Sequence, residues 1–223
     1  MPPAHLPSSN GPSPTPTPCY VAILLASGRA TRMGCPKLLL PLAGQPLLQS
    51  SLDAVAASCL SEIVMVVGPE VHGRLGELAL PTRIPLTVVE NRDPEAGQSH
   101  SLQIGLEAAS SSTQAAAIVL GDEPQLDAGR IDSMARIFQN TEKPAARPVY
   151  CSPPEPPVPG HPVFVARRLW QEIGELRGDQ GLRDWLSNRP EMLLEVERLG
   201  PAPRDIDTWE DYRAAGGTAS AGN

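Results

Sequence analysis

Aromatic residues are scarce: three Trp, three Tyr and two Phe make up 4% of the 223 residues. That argues against a nucleic-acid stacking platform and against an aromatic-cored multistrand sandwich. No apolar run reaches the roughly 18 to 20 residues needed to cross a bilayer. The strongest run, Val21 to Ala26, is far shorter, so neither a membrane span nor a membrane partner is expected. The N-terminus lacks the charged and apolar regions of a secretory signal. Cys19, Cys35, Cys59 and Cys151 are scattered, with no C-x-x-C and no accompanying histidine cluster. This argues against a disulfide framework or structural zinc site and predicts a reducing, cytoplasmic setting.

Carboxylates are missing from the first 52 residues, where Arg29, Arg32 and Lys37 are the only charges. The remaining chain carries 15 cations and 25 carboxylates, and the net charge is -7. Such a balance weighs against a general phosphate-backbone binder, so no nucleic-acid partner is expected. Three cations without an acid are either a solvated surface or an anion site, and their surroundings decide which.

Proline is abundant, at 26 residues, and seven of these fall within residues 1–18 among Ser, Thr and Asn. The composition predicts a disordered leader over 1–18, one domain over 19–215 and a flexible tail over 216–223. With 41% hydrophobic residues, the middle segment can bury a substantial core.

Val21 to Ala26 is continuously apolar, as a strand covered on both faces would be. Ile63 to Val67, Leu86 to Val89 and Ala115 to Leu120 read as further strands. Leu48, Leu52, Val55, Ala56 and Cys59 stripe one intervening helix, and Leu102, Leu106 and Ala109 another. Asp127 is placed to cap a helix carrying Ile131, Met134, Ala135 and Phe138. A helix is also expected from Ala166 to Leu176. The alternation predicts a three-layer α/β/α sandwich with a mostly parallel, Rossmann-like sheet. Ligands are then expected beyond the carboxyl ends of the strands, at the loops after strands one, three and four.

The first of these loops, Leu25 to Lys37, contains Gly28 and Gly34 with all three early cations. Small residues let backbone N–H groups approach an oxyanion, and the cations offset several negative charges, a combination suited to a triphosphate. Neither a Walker A loop nor a dinucleotide fingerprint is present. The segment resembles the L-A-A/G-G-x-S-x-R-M-G-x-x-K signature of the MobA-like nucleotidyltransferases. Lys37-Leu38-Leu39-Leu40-Pro41-Leu42 and Gly44-Gln45-Pro46-Leu47-Leu48 continue the likeness. The resemblance implies a nucleotide site at Leu25, Ala26, Ser27, Gly28, Arg32, Gly34 and Lys37. Ser27 stands where Ala or Gly is usual and Ala30 where Ser is common, departures that bear on base preference.

Asn91 to Leu102 resembles the family's N-P-x-x-x-x-G-x-x-x-S-L segment, which implies that Gly97 and Ser101 also meet the nucleotide. His100 reads as a surface residue at a helix start. Leu120-Gly121-Asp122-Glu123-Pro124-Gln125-Leu126 places an acid at the end of a strand, facing a loop suited to triphosphate. A cation would relieve the repulsion, and Mg2+ takes one or two carboxylates plus phosphate oxygens. This stretch resembles G-D-x-P-x-L, which implies that Asp122 holds the metal, whereas Glu123 falls at a variable position and is expected to face solvent. Asp205-Ile206-Asp207-Thr208-Trp209 resembles D-I-D-T-P, with Trp209 replacing Pro. Asp205 and Asp207 should point to opposite faces of an extended segment. The likeness favours Asp207 as the second ligand, with Asp205 in reserve and Thr208 capping the last helix.

Gly160-His161-Pro162 and Gly178-Asp179-Gln180-Gly181-Leu182-Arg183 resemble the branch of the family comprising the molybdenum cofactor cytidylyltransferases. That likeness implies that Gly160, His161, Pro162, Asp179 and Gly181 contact a molybdopterin acceptor. It also implies Mg2+-dependent transfer of CMP from CTP to the cofactor's terminal phosphate, with Arg32, Lys37 and Asp122 catalytic. Two alternatives stand beside it: guanylyl transfer from GTP to the same acceptor, and a cofactor-binding chaperone serving a molybdoenzyme.

Overall fold

The computed structural model describes residues 19–28, 33–177 and 181–219. Arg32 and Asp179 lie outside the described residues. Strand β1 (Tyr20–Ala26) occupies the middle of the sheet, and its side chains alternate between two apolar cores. Tyr20, Ala22, Leu24 and Ala26 enter one core, and Val21 and Ile23 the other. This two-sided burial accounts for the absence of polar alternation in the strand's sequence.

Helix α1 (Leu47–Ala56) leads to β2 (Glu62–Val67), which pairs parallel with β1. After Pro69–His72, a single helical turn, β3 (Leu86–Glu90) pairs parallel with β2. Helix α2 (Gln98–Ala108) crosses back to β4 (Ala115–Leu120), parallel to β1 on its other side. Helix α3 (Ala128–Gln139) follows, its first turn capped by the Asp127 carboxylate, which accepts from the Arg130 amide at 2.9 Å. Cys59 lies beyond the end of α1 and Ala109 beyond the end of α2, and the other stripe residues fall where the periodicity puts them.

The second half of the sheet is mixed. Strand β5 (Ala145–Cys151) pairs with the short β6 (Val158–Pro159), and β7 (Val163–Ala166) inserts antiparallel between β4 and β5. Helix α4 (Leu182–Ser187) precedes β8 (Leu193–Leu199), which runs parallel to β5, and α5 (Trp209–Ala214) ends the ordered elements. The spatial order is β3-β2-β1-β4-β7-β5-β8. The helix expected over Ala166–Leu176 is shorter than its apolar stripe: the backbone through Ala166 is taken by the sheet, and only Trp170–Ile173 is α-helical, after a 3-10 turn at Arg167–Leu169. Leu169, Ile173 and Leu176 still reach the second core. No helix among the described residues is long and apolar enough to cross a membrane.

The layers meet closely where glycine allows it. A Cβ on Gly105 of α2 would lie 2.6 Å from Ile23 Cγ2 and 3.0 Å from Val66 Cγ2. The branched side chain of Gly105→Val therefore overpacks the contact between α2 and the sheet, with an expected loss of about 1–3 kcal/mol. Urea denaturation, read as a fall in midpoint at unchanged slope, measures it.

Candidate active site

The carboxyl ends of β1 and β4 lie side by side, and the segments leaving them deliver oppositely charged groups to one point. Lys37 opens a 3-10 turn, Lys37–Leu39, and its side chain is only 8% exposed. Its Nζ donates to Asp122 Oδ2 and to Asp207 Oδ1, both at 2.7 Å. Burial works to lower the ammonium's pKa, but Asp122 and Asp207 more than offset this and hold it above the ordinary lysine value. Asp207 remains 49% exposed, so the triad opens to solvent on that side.

The C-terminal segment is fastened on both sides of Asp207. The Ile206 amide donates to the Asp122 carbonyl at 3.2 Å, and Ile206 is buried in the first core. Thr208 and Asp211 form a reciprocal capping box at the start of α5. Trp209 donates its indole N–H to the Met33 carbonyl at 3.2 Å and packs edge-on against Tyr212, whose hydroxyl donates to the Pro41 carbonyl. Trp209 thus ties the last helix to the loop after β1.

Asp205 leaves Ile206 toward a different cavity from Asp207. Its carboxyl is crowded by protein although the residue retains exposed surface. Desolvation first, then the charges of Asp122 and Glu123, push its pKa up to about 6. Among the described residues this edge therefore gathers negative potential, with Asp122, Asp205 and Asp207 near one ammonium. Among the described residues no cluster of three or more His, Cys, Asp or Glu forms a complete metal site. The two hard carboxylates converging beside this potential nevertheless fit a magnesium ion that completes its shell with phosphate oxygens and water.

Three adjoining cavities lie at this edge, two of them lined by residues of the triad. One of about 520 Å³ is lined by Ala26, Ser27, Gly28, Gly34 and Lys37, together with Gly68, Pro69 and Glu70 after β2. That loop after β2 was not among those expected to matter. A second cavity, about 290 Å³, brings Leu25, Ser27, Gly28, Lys37, Gly97, Ser101, Asp122 and Asp207 together. A third, about 380 Å³, contains Leu25, Gln98, Leu120, Gly160, His161, Gly181 and Asp205, with Arg147 and Arg183. Leu25, Gln98 and Leu120 line both the second and the third cavities. Pro162 is buried behind His161 and lines a further cavity on the far side of that loop.

Backbone conformation explains several of the glycines. Gly34 has φ +67° and Gly97 φ +93°, both in the region that favours glycine. Gly160 is required by contact instead, since a Cβ there would lie 2.7 Å from Tyr150 Cε2. Ser27, in place of the usual small apolar residue, is buried and shares a 2.6 Å hydrogen bond with Ser101. Asn91 extends this chain, donating from Nδ2 to Ser101 Oγ at 3.0 Å and accepting the Asp93 amide at 2.9 Å.

Glu123 corrects an expectation. It does not face solvent but is 3% exposed, with Oε1 2.7 Å from His161 Nδ1. The cause is tertiary: β7 lies beside β4, and its incoming loop lays His161 over the residue that follows Asp122. The sequence signal that could have found Arg147 was a charge inside the otherwise apolar Ala145–Cys151. It is 4% exposed and bonded to Glu195 and Ser187. Glu123 had no such signal.

Comparison with protein families matches residues 22–193 to the MobA-like NTP transferase domain. The chain is 27% identical over 205 residues to purine catabolism protein PucB of Bacillus subtilis, covering 88% of this chain and 95% of that one. It is 26% identical over 196 residues to the molybdenum cofactor cytidylyltransferase of Escherichia coli, covering 86% and 93%. The crystal structure of Rv0371c from Mycobacterium tuberculosis superposes with a TM-score of 0.76 at 24% identity, covering 89% and 97%. A manganese complex of the same protein superposes at 0.71 with 25% identity, covering 88% and 97%.

The buried Asn91 amide connects the end of β3 to the start of α2, so removing it takes one of two hydrogen bonds from buried Ser101 and the acceptor of the Asp93 amide. Asn91→Ala is expected to cost about 1–3 kcal/mol. Chemical denaturation followed by circular dichroism provides the measurement.

Proposed function

We propose that this chain, which belongs to the MobA-like NTP transferase family, transfers CMP from CTP to the terminal phosphate of a molybdopterin-type cofactor and releases pyrophosphate. The observation that carries the proposal is the convergence of Lys37, Asp122 and Asp207 where the nucleotide-side and acceptor-side cavities adjoin. The choice of CTP and of acceptor is supported by the likeness of nearly the whole chain to a molybdenum cofactor cytidylyltransferase. The Gly160-His161-Pro162 motif on the acceptor-side wall supports it further.

In this reading the triphosphate lies along the loop after β1. Gly28 and Gly34 leave the backbone accessible, Gly97 and Ser101 close the opposite wall, and Arg32 adds charge from that same loop. The acceptor enters past Gly160, His161 and Gly181, with Pro162 behind them. One acceptor phosphate oxygen attacks the α-phosphorus, the bond from that phosphorus to the bridging oxygen breaks, and pyrophosphate carries away the electron pair. A phosphate monoester is largely dianionic near neutral pH, its second pKa being about 6, so the nucleophile needs alignment more than activation.

Lys37 supplies a fixed positive charge beside the reacting phosphates, held by the two carboxylates so that little reorganisation is needed on reaction. Asp122 and Asp207 are the residues that would hold magnesium, with Asp205 in reserve. When bound, the ion supplies charge neutralisation on the phosphate oxygens. The manganese complex of Rv0371c is in keeping with a divalent cation on this fold.

Lys37→Ala and Asp122→Ala are each expected to lower turnover by about 10²-fold or more while the fold is kept. Pyrophosphate release, with circular dichroism as the control for folding, tests this, and wild-type turnover in either variant removes the assignment. Wild-type protein supplied with each of the four nucleoside triphosphates and molybdopterin should release pyrophosphate fastest with CTP and stop on chelation of divalent cations. A faster rate with GTP would replace the cytidylyl reading by guanylyl transfer, and tight cofactor binding with no pyrophosphate would replace both by a chaperone.

A further inference from the structure

Glu123 is the residue next to Asp122, yet it turns away from the Lys37 triad and is buried at the foot of the acceptor-side loop. Oε1 is engaged by His161, while Oε2 is the one buried side-chain polar atom among the described residues with no hydrogen-bond partner. A buried carboxylate satisfied on only one oxygen is costly, and a purely structural pin would be better made by a neutral group. The contact also constrains its partner. With the carboxylate as the acceptor of this contact, the hydrogen between Glu123 and His161 sits on Nδ1. The other ring nitrogen, Nε2, is left for whatever meets His161, which is 18% exposed and lines both the acceptor-side cavity and the further one that Pro162 lines.

We propose that Glu123 is a positioning residue for the acceptor: by fixing the ring and tautomer of His161 through Nδ1, it directs Nε2 to hold one proton jointly with a non-attacking oxygen of the acceptor's phosphate. This rests on the transferase reading above for the identity of the acceptor, but the contact itself needs only a phosphate. The second ionisation of a phosphate monoester lies near pH 6, so the bound pair takes up one proton from solvent, and a single N···H···O bond to Nε2 then satisfies both partners. Nothing is transferred to Glu123, and no bond in the nucleotide depends on it. The orienting role is the one a carboxylate plays behind a functional histidine elsewhere in protein chemistry.

The test uses the full chain labelled with 15N. It carries four histidines, and His161 is assigned by the signal missing from His161→Gln. Wild-type His161 should show the Nδ1–H tautomer, and inorganic phosphate should shift Nε2. Glu123→Ala should lose both features, whereas Glu123→Gln, whose amide oxygen still accepts from Nδ1–H, should keep them. In turnover, Glu123→Ala should raise KM for molybdopterin about tenfold, the worth of one charge-assisted hydrogen bond, and leave KM for the nucleotide unchanged.

An Nε2–H tautomer in the wild type overturns the proposal. So does a Glu123→Ala protein that melts earlier but keeps the phosphate response and both KM values, the signature of a structural pin. If Glu123→Ala does not fold, Glu123→Gln and His161→Gln decide, since the first must keep the phosphate response and the second must raise KM for molybdopterin with KM for the nucleotide unchanged. The resonance experiment needs no turnover. Absence of pyrophosphate release with every nucleotide would therefore refute the transferase reading while leaving this contact to stand or fall by its own spectra.

Discussion

The two short hydrogen bonds of the Lys37 ammonium join residues separated by 85 and 170 positions in the chain. A buried ammonium is expensive to desolvate, and only opposed charge at close range makes the position tolerable. Three segments are therefore tied to one another: the loop after β1, the end of β4 and the extended run before α5. A pair of this kind is a weak source of net stability compared with apolar residues of similar volume. It sits instead at the carboxyl edge of a central, fully covered sheet, where α/β folds bind their ligands.

The sheet makes that arrangement possible. β1 is paired on both sides by parallel strands and buried on both faces, so the point at which its chain leaves the sheet is fixed relative to the end of β4. Fastening of the C-terminal segment then depends on contacts that have little to do with charge: Ile206 in the core, the Thr208 capping box and the indole of Trp209 on the Met33 carbonyl. Trp209 thus adds a donor that reaches across to the loop after β1.

Much of the fold was legible from local pattern. The apolar runs of β1, β2 and β4 and the helical stripes of α1, α2 and α3 are properties of single segments, and burial on one face or two is written directly into their spacing. The second half of the chain was less legible because β7 is short and antiparallel, and because its continuation carries a helix-like stripe that the sheet interrupts after Ala166. The loop after β2 was illegible for a similar reason, since Gly68, Pro69 and Glu70 have no distinctive composition and become wall residues only through the place of β2 beside β1.

The sequence by itself determined the three-layer class, the cation-rich loop free of acids and the acid at the end of a strand, because each depends on residues close together in the chain. Only the tertiary structure decided that Asp207 joins Lys37 while Asp205 lines the neighbouring cavity. It also decided that Ser27 is consumed by a buried bond to Ser101, and that Glu123 lies beneath His161. Those outcomes depend on which strands become neighbours. The protonation, hydrogen bonding and burial of a polar side chain are set by groups brought from elsewhere in the chain, and no local periodicity encodes them.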